Sequence, residues 1–209
     1  MKKILILGST GKLGKVLVSF LLIKNIKLVV LVRNPEKLDI KNNNLEIIKG
    51  DVTNPKDLHD ALEGINVVIS VLGHGFWTKF PILKNSLENL IPLMEEKGIK
   101  RFISVSGAGL KTKNDRNSFT LNFSQRLFRV IDPYRIKDAE DQQRLLEKSN
   151  LNWTVVRTPV HENKNSGNIS YSGFKQPFIW KRVSRLAIAK FIHDNLNDEK
   201  WYKKSPIIY

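Results

Sequence analysis

The sequence predicts an α/β fold, a single Rossmann-type doubly wound parallel sheet with helices on both faces, and two observations carry that prediction. Apolar runs alternate with amphipathic stretches along the whole chain, and a glycine triplet separates the first run from the first amphipathic stretch. At 209 residues the chain suits one domain spanning residues 1–209, because two full domains would be cramped.

Taken in order, residues 4–7 read as a first strand and residues 12–24 as a helix with Leu13, Val16, Leu17, Phe20 and Leu21 on one face. Residues 28–32 are a nearly continuous apolar run of the kind buried on both sides of a parallel sheet, and residues 45–48 form a third strand. Pro55 opens a short helix running to residue 62, since proline suits a first helical turn. Residues 67–72 are a fourth strand closed by Gly73. A long helix over 82–97 contains Pro92, which costs an internal hydrogen bond and is expected to kink it, and is capped by Gly98. Residues 102–105 and 153–156 are the fifth and sixth strands, with a charged amphipathic helix over 138–148 between them. Ser184 caps a last helix whose inner face is Leu186, Ile188, Phe191 and Ile192, and residues 207–208 make a short final strand.

Two stretches break this rhythm. Residues 110–135 carry Lys111, Lys113, Arg116, Arg126, Arg129 and Arg135 among Phe119, Phe123 and Phe128. Residues 161–180 are polar and turn-rich, with Phe174, Phe178 and Trp180. Both follow the C-terminal end of a strand, where open α/β sheets take ligands, so both are expected to cover a substrate.

Composition narrows the classes. A formal charge of +15 attracts anions, whether cofactor phosphates, nucleic acid or an anionic membrane, or else reflects a chain generally rich in Lys, Asn and Ile. No helix-turn-helix, zinc-finger or RNA-recognition signature accompanies the charge, so nucleic-acid binding ranks last. No segment approaches the roughly 20 apolar residues of a membrane span. The apolar start before Gly8 is too short for a signal peptide, and a cytoplasmic protein is expected. Without cysteine there is no thiolate chemistry, and four scattered histidines offer no metal-ligand spacing, so no metal is expected.

The segment from Gly8 to Gly14 is the most informative. Gly8 allows a tight turn off the strand, Gly11 lets the backbone approach a pyrophosphate, and Gly14 permits close packing of helix on strand. Ser9, Thr10, Lys12 and Leu13 complete the turn, and the helix N-terminus adds N–H donors and a partial positive charge. A strand before and a helix after are the context that makes this a dinucleotide site. Past the second strand, where NAD-binding chains place a carboxylate on the ribose, stands Arg33. Together with Lys12 it suits a 2′-phosphate, so NADP(H) is preferred over NAD(H). Asp51 and Val52 follow the third strand, where a carboxylate can accept from the adenine amino group. Leu72 and Gly73 follow the fourth, where small residues let the cofactor pass.

With these positions fixed, the chain resembles the atypical short-chain dehydrogenases/reductases of the NAD(P)H-binding, NmrA-like family, and within them the flavin reductase/biliverdin-IXβ reductase group. The resemblance rests on the GxxGxxG turn and on residues 32–35, 50–53, 100–106 and 149–157. It implies that Thr158, Pro159 and Val160 approach the nicotinamide. Relatives often carry a second serine where this chain has Gly107, a proline where it has Thr158, and an acid where it has Ala187.

The family's usual acid is a tyrosine four residues before a lysine. Here Tyr134 and Lys137 are three apart, immediately behind Pro133, which puts Tyr134 at a helix edge and leaves Lys137 to contact cofactor or solvent. Ser106 is the remaining polar group near the nicotinamide, able to bond an acceptor or only cap backbone. His161 is either a proton donor or a surface histidine. His74 has the same two readings, while Phe76, Trp77 and Phe80 stack a substrate or fill core. The expectation is an NAD(P)H-dependent oxidoreductase reducing a flavin, quinone or other planar aromatic acceptor, as a monomer or small homo-oligomer. The alternative is a non-catalytic NADP(H) sensor acting through a protein partner.

Overall fold

The computed structural model describes residues 2–73, 79–113, 115, 126, 129–163, 167–175 and 181–209. Ile4 to Leu7 of β1 (Lys3–Leu7) are wholly buried, and their alternation decides the layering. Ile4 and Ile6 face one way, onto Leu17 and Leu21 of α1 (Lys12–Ile23) and Ile188 and Ile192 of α5 (Arg185–Asp194). Leu5 and Leu7 face the other way, toward Leu58 of α2 (Pro55–Ala61), Leu90 and Met94 of α3 (Ile82–Glu96), and Leu146 of α4 (Pro133–Lys148).

The remaining strands are β2 (Lys27–Val32), β3 (Leu45–Lys49), β4 (Val67–Ser70), β5 (Arg101–Gly107), β6 (Asn152–Thr158), β7 (Val160–Glu162), β8 (Ser172–Gly173), β9 (Arg182–Ser184) and β10 (Ile207–Ile208). The main sheet runs β3-β2-β1-β4-β5-β6-β10-β8. Its pairings are parallel except β10 with β8. This is the Rossmann order extended at one edge, and the strand order reverses beside β1, where β2 lies on one side and β4 on the other. β7 and β9 form a separate parallel pair.

Some boundaries differ from those read in the sequence. β4 stops at Ser70 rather than at residue 72. Val71 N still bonds Leu7 O at 2.9 Å, but the next peptide turns aside against the backbone of Gly8. The α4 helix begins at Pro133, five residues before the amphipathic pattern, because Asp132 caps it by accepting from Arg135 N. The α3 helix runs through Pro92 without ending. β7, β8 and β9 were not anticipated, since two or three residues carry no readable alternation.

Of the irregular stretches, Arg116, Phe119, Phe123, Phe128, Phe178 and Trp180 lie outside the described residues. Phe174 packs edge-on to Trp201 at 6.1 Å, in the core layer of α1 and α5. Among the described residues no helix is long and apolar enough to cross a membrane.

Candidate functional site

Directly after β1, Gly8 takes φ +85°, and a Cβ there would lie 2.8 Å from the Val71 carbonyl. Gly14, buried in the first turn of α1, leaves no room either, because its Cβ would stand 2.7 Å from Ser9 Cα. Gly11 is the opposite case. It is exposed at the N-cap, with only Gly8 O within 4 Å of a Cβ, so its outer side is open. The α1 helix has no side-chain cap and no acid in its first turn. Its leading N–H groups therefore keep their donors and partial positive charge for an anion. The Ser9 hydroxyl is buried with no hydrogen-bond partner among the described residues. Thr10 is half-buried, Lys12 is exposed beside the turn, and Leu13 drops into the core beneath it. An open, donor-rich turn backed by two glycines that admit no side chain fits a pyrophosphate.

Arg33 stands exposed one residue past β2. Asp51 follows β3, and its Oδ1 accepts from Thr53 N at 2.9 Å and Thr53 Oγ1 at 2.8 Å. Burial alone would raise this carboxyl, but the two Thr53 bonds and the charge of Arg33 outweigh it and hold it below the usual range. Asp51 and Arg33 thus sense one another across the tips of neighbouring strands. Val52 is buried under them, Leu72 packs against the same core, and Gly73 has open space where a side chain would be.

At the tips of β5 and β6, Ser106 pairs in register with Arg157, and Gly107 with Thr158. The Thr158 hydroxyl lies 2.7 Å from His161 Nε2 and donates to Ser106 O at 3.3 Å. His161 belongs to β7 and is half-buried rather than a surface histidine. Burial, then the nearby charge of Arg185, push its imidazole down to about 4, so it is neutral at pH 7. The fold therefore joins Ser106, Thr158 and His161 in one cluster. Pro159 is half-buried beside it, while Val160 is 57% exposed as the chain enters β7.

Tyr134 and Lys137 lie one turn apart on α4 and are both exposed, with Lys79 Nζ 5.9 Å from the Tyr134 ring. Among the described residues no hydrogen bond joins either of them to Ser106, Thr158 or His161. His74, Phe76 and Trp77 lie outside the described residues, and Phe80 is exposed.

A family profile described as NAD(P)H-binding matches residues 8–199, from the glycine turn through the last helix. The chain belongs to the NAD(P)H-binding family. This NAD(P)H-binding protein is 34% identical over 115 residues to an isoflavone reductase homologue of Nicotiana tabacum, a match covering 48% of this chain and 34% of the relative. It is 28% identical over 187 residues to a photosystem II assembly factor of Cyanophora paradoxa, covering 89% of this chain and 54% of that protein. The chain thus spans about a third and about half of these two relatives. Among solved structures it is similar to a wide-type short-chain dehydrogenase/reductase of Veillonella parvula in complex with NADP, with a TM-score of 0.77 at 23% identity over 99% of this chain and 94% of that one. A Rossmann-fold NAD(P)-binding family protein of Shigella flexneri gives 0.77 at 24% identity, over 100% and 93%. The atypical short-chain dehydrogenase resemblance read from the sequence agrees with these findings.

Three charged side chains that hold the NAD(P)H-binding fold in shape escaped the sequence reading. Arg157, wholly buried at the tip of β6, grips Asp115 through two bonds of 2.5 and 2.7 Å, and also donates to Leu110 O and Ser205 O. It pins the stretch after β5 against the strand tips. Asp138 accepts from Leu83 N at 3.0 Å and Lys84 N at 2.9 Å, so a carboxylate on α4 closes the N-terminus of α3. Arg101 donates to the carbonyls of Asn195 and Leu196 at the end of α5, and to Asn152 O and Thr154 Oγ1. Burial lowers Arg101 to about 10, against the raising influence of Tyr202 and Asp198, so it stays charged. The available signal was an arginine closing the apolar run of residues 153–156.

Proposed function

We propose that this protein is an NAD(P)H-dependent reductase passing hydride to a flavin, a quinone or another planar aromatic acceptor, and that it uses NADP(H) in preference to NAD(H). The observation that carries the reading is an intact phosphate turn at the same end of the parallel sheet as a strand-tip cluster, Ser106–Thr158–His161, whose imidazole is neutral. When bound, the nicotinamide supplies the hydride. The α1 N-terminus with Gly8, Gly11 and Gly14 holds the pyrophosphate, while Arg33 and Lys12 pair with a 2′-phosphate. Val52, Leu72, Gly73, Thr158, Pro159 and Val160 line the way for the rest of the cofactor. Ser106 offers a hydroxyl that orients an acceptor, and Thr158 holds His161 beside it.

Reducing an ordinary ketone requires a proton at its oxygen, and neither an exposed Tyr134 nor a neutral His161 is suited to deliver one. A planar aromatic acceptor spreads the incoming charge over its ring and takes its proton from water. The resemblance to the flavin reductase/biliverdin-IXβ reductase group supports the same acceptor class. The reading carries with it a cytoplasmic location and a monomer or small homo-oligomer. Purified protein should oxidise NADPH in steady state with FMN, riboflavin or a quinone. Tight cofactor binding with no turnover across that panel removes the proposal.

A second reading, a non-catalytic NADP(H)-sensing regulator acting through a protein partner, draws support from the Cyanophora relative, which is named for an assembly role. It requires a partner that binds differently in the presence of NADPH and NADP, since a ligand without differential affinity shifts nothing. Equal partner affinity in both states excludes it.

A further inference from the structure

A cavity of about 250 Å³ lies between α4, the stretch after β5 and the residues just before β10. Trp153, the second residue of β6, lines it, whereas Thr158 ends that strand. At about 3.3 Å per residue the two are on the order of 16 Å apart. The rest of the wall comes from Thr112 and Lys113 after β5, Gln143 and Glu147 on α4, and Lys203 and Ser205 before β10.

The amide and carboxylate oxygens of this wall are already engaged. Ser205 Oγ donates to Gln143 Oε1 at 3.0 Å, Gln143 Nε2 donates to Glu147 Oε1 at 3.1 Å, and Lys113 Nζ sits 3.1 Å from Glu147 Oε2. Two polar atoms are left over. The Trp153 indole N–H and the Thr112 hydroxyl are buried and have no hydrogen-bond partner among the described residues. Buried polar groups are rarely left so, and an indole N–H can only donate. A ligand that satisfies these two groups brings acceptor oxygens. The lysines at 113 and 203, in a chain of net charge +15, favour a negative charge on it. The volume is below the roughly 300–1,000 Å³ of pockets for drug-sized ligands, so the occupant is compact.

We infer that this cavity binds a small organic carboxylate, at a site separate from that of the nicotinamide cofactor. The test titrates the full-length protein with succinate and, separately, with inorganic phosphate, at constant ionic strength. The readout is the Trp153 indole N–H signal in the proton–nitrogen correlation spectrum, identified by sequential assignment. The expected result is a saturable downfield shift of that signal with succinate. Thr112→Val and Lys203→Gln should each weaken succinate by about tenfold, with NADPH affinity unchanged. No saturable shift with succinate overturns the inference. Saturation by phosphate alone overturns it too, and so does a Thr112→Val protein that binds succinate as tightly as the unsubstituted chain.

Discussion

A Cβ placed on Gly14 would stand 2.2 Å from the carbonyl oxygen of Gly8, whereas one placed on Gly11 would meet that same oxygen at 3.4 Å. The first distance is an impossible overlap of backbone with side chain, and the second is ordinary contact. Gly14→Ala must push α1 off β1 and should cost about 3 kcal/mol of stability in urea unfolding. Gly11→Ala should change stability by no more than about 0.5 kcal/mol. It should still weaken NADPH by about tenfold or more, because the new methyl group occupies the face a phosphate must approach. Equal stability losses in the two variants would sink this division of roles.

Arg33 is the residue on which the NADP preference turns. Losing a charge-assisted bond to a 2′-phosphate is worth about 1.5–3 kcal/mol, so Arg33→Ser should weaken NADPH by about ten- to a hundredfold. NADH, which lacks that phosphate, should be little affected. The Asp51 carboxyl should also titrate higher in the variant, since it loses one of the influences that lower it. Parallel losses for both cofactors would show that Arg33 does not read the phosphate.

The buried imidazole of His161 predicts a pH dependence of stability. Its value of about 4 in the folded protein lies below the roughly 6.5 of an unfolded chain. Between those values the unfolded state binds a proton that the folded state does not. Stability is therefore complete above about pH 6.5 and falls as pH drops toward about 4. Between about pH 7 and about pH 4 the protein should lose on the order of 2 kcal/mol more than His161→Gln does, after allowance for solvent screening at a half-buried site. Unfolding curves of the two proteins that keep a constant gap across this range would refute the assignment.

Arg157 and Asp115 form a pair whose parts are worth less alone than together. Asp115→Asn leaves a buried guanidinium without its counter-charge and should cost about 3–5 kcal/mol. Replacing both, as in Arg157→Met with Asp115→Leu, should recover much of that loss. A double-mutant cycle by urea denaturation measures the coupling, and a value under about 0.5 kcal/mol would mean that the pair is energetically idle.

What could be read in the sequence was local. The glycine turn, Pro55 at a helix start, Gly98 after α3 with φ +69°, and Ser184 capping α5 through Ala187 N each act within a few residues of themselves. The alternation of Ile4, Leu5, Ile6 and Leu7 between two core layers is equally local. Asp138, Arg101 and Arg157 were invisible as structural residues because their partners lie far away along the chain: Leu83, Leu196 and Asp115. His161 could be named as a candidate, but its neutrality follows from burial beside Thr158 and Arg185, which only the folded chain creates.

The dependence of Arg101 on Asn195 and Leu196, and of Arg157 on Ser205, also bears on how the chain assembles during its own synthesis. Strands β5 and β6 leave the ribosome with two guanidinium groups destined for burial but without all of the carbonyls that will receive them. Half of the sheet stays in suspense until the last helix and the residues just before β10 arrive. A stalled product ending near residue 190 would carry the whole glycine turn yet lack the means to shut the sheet around it, which marks it as prey for proteolysis.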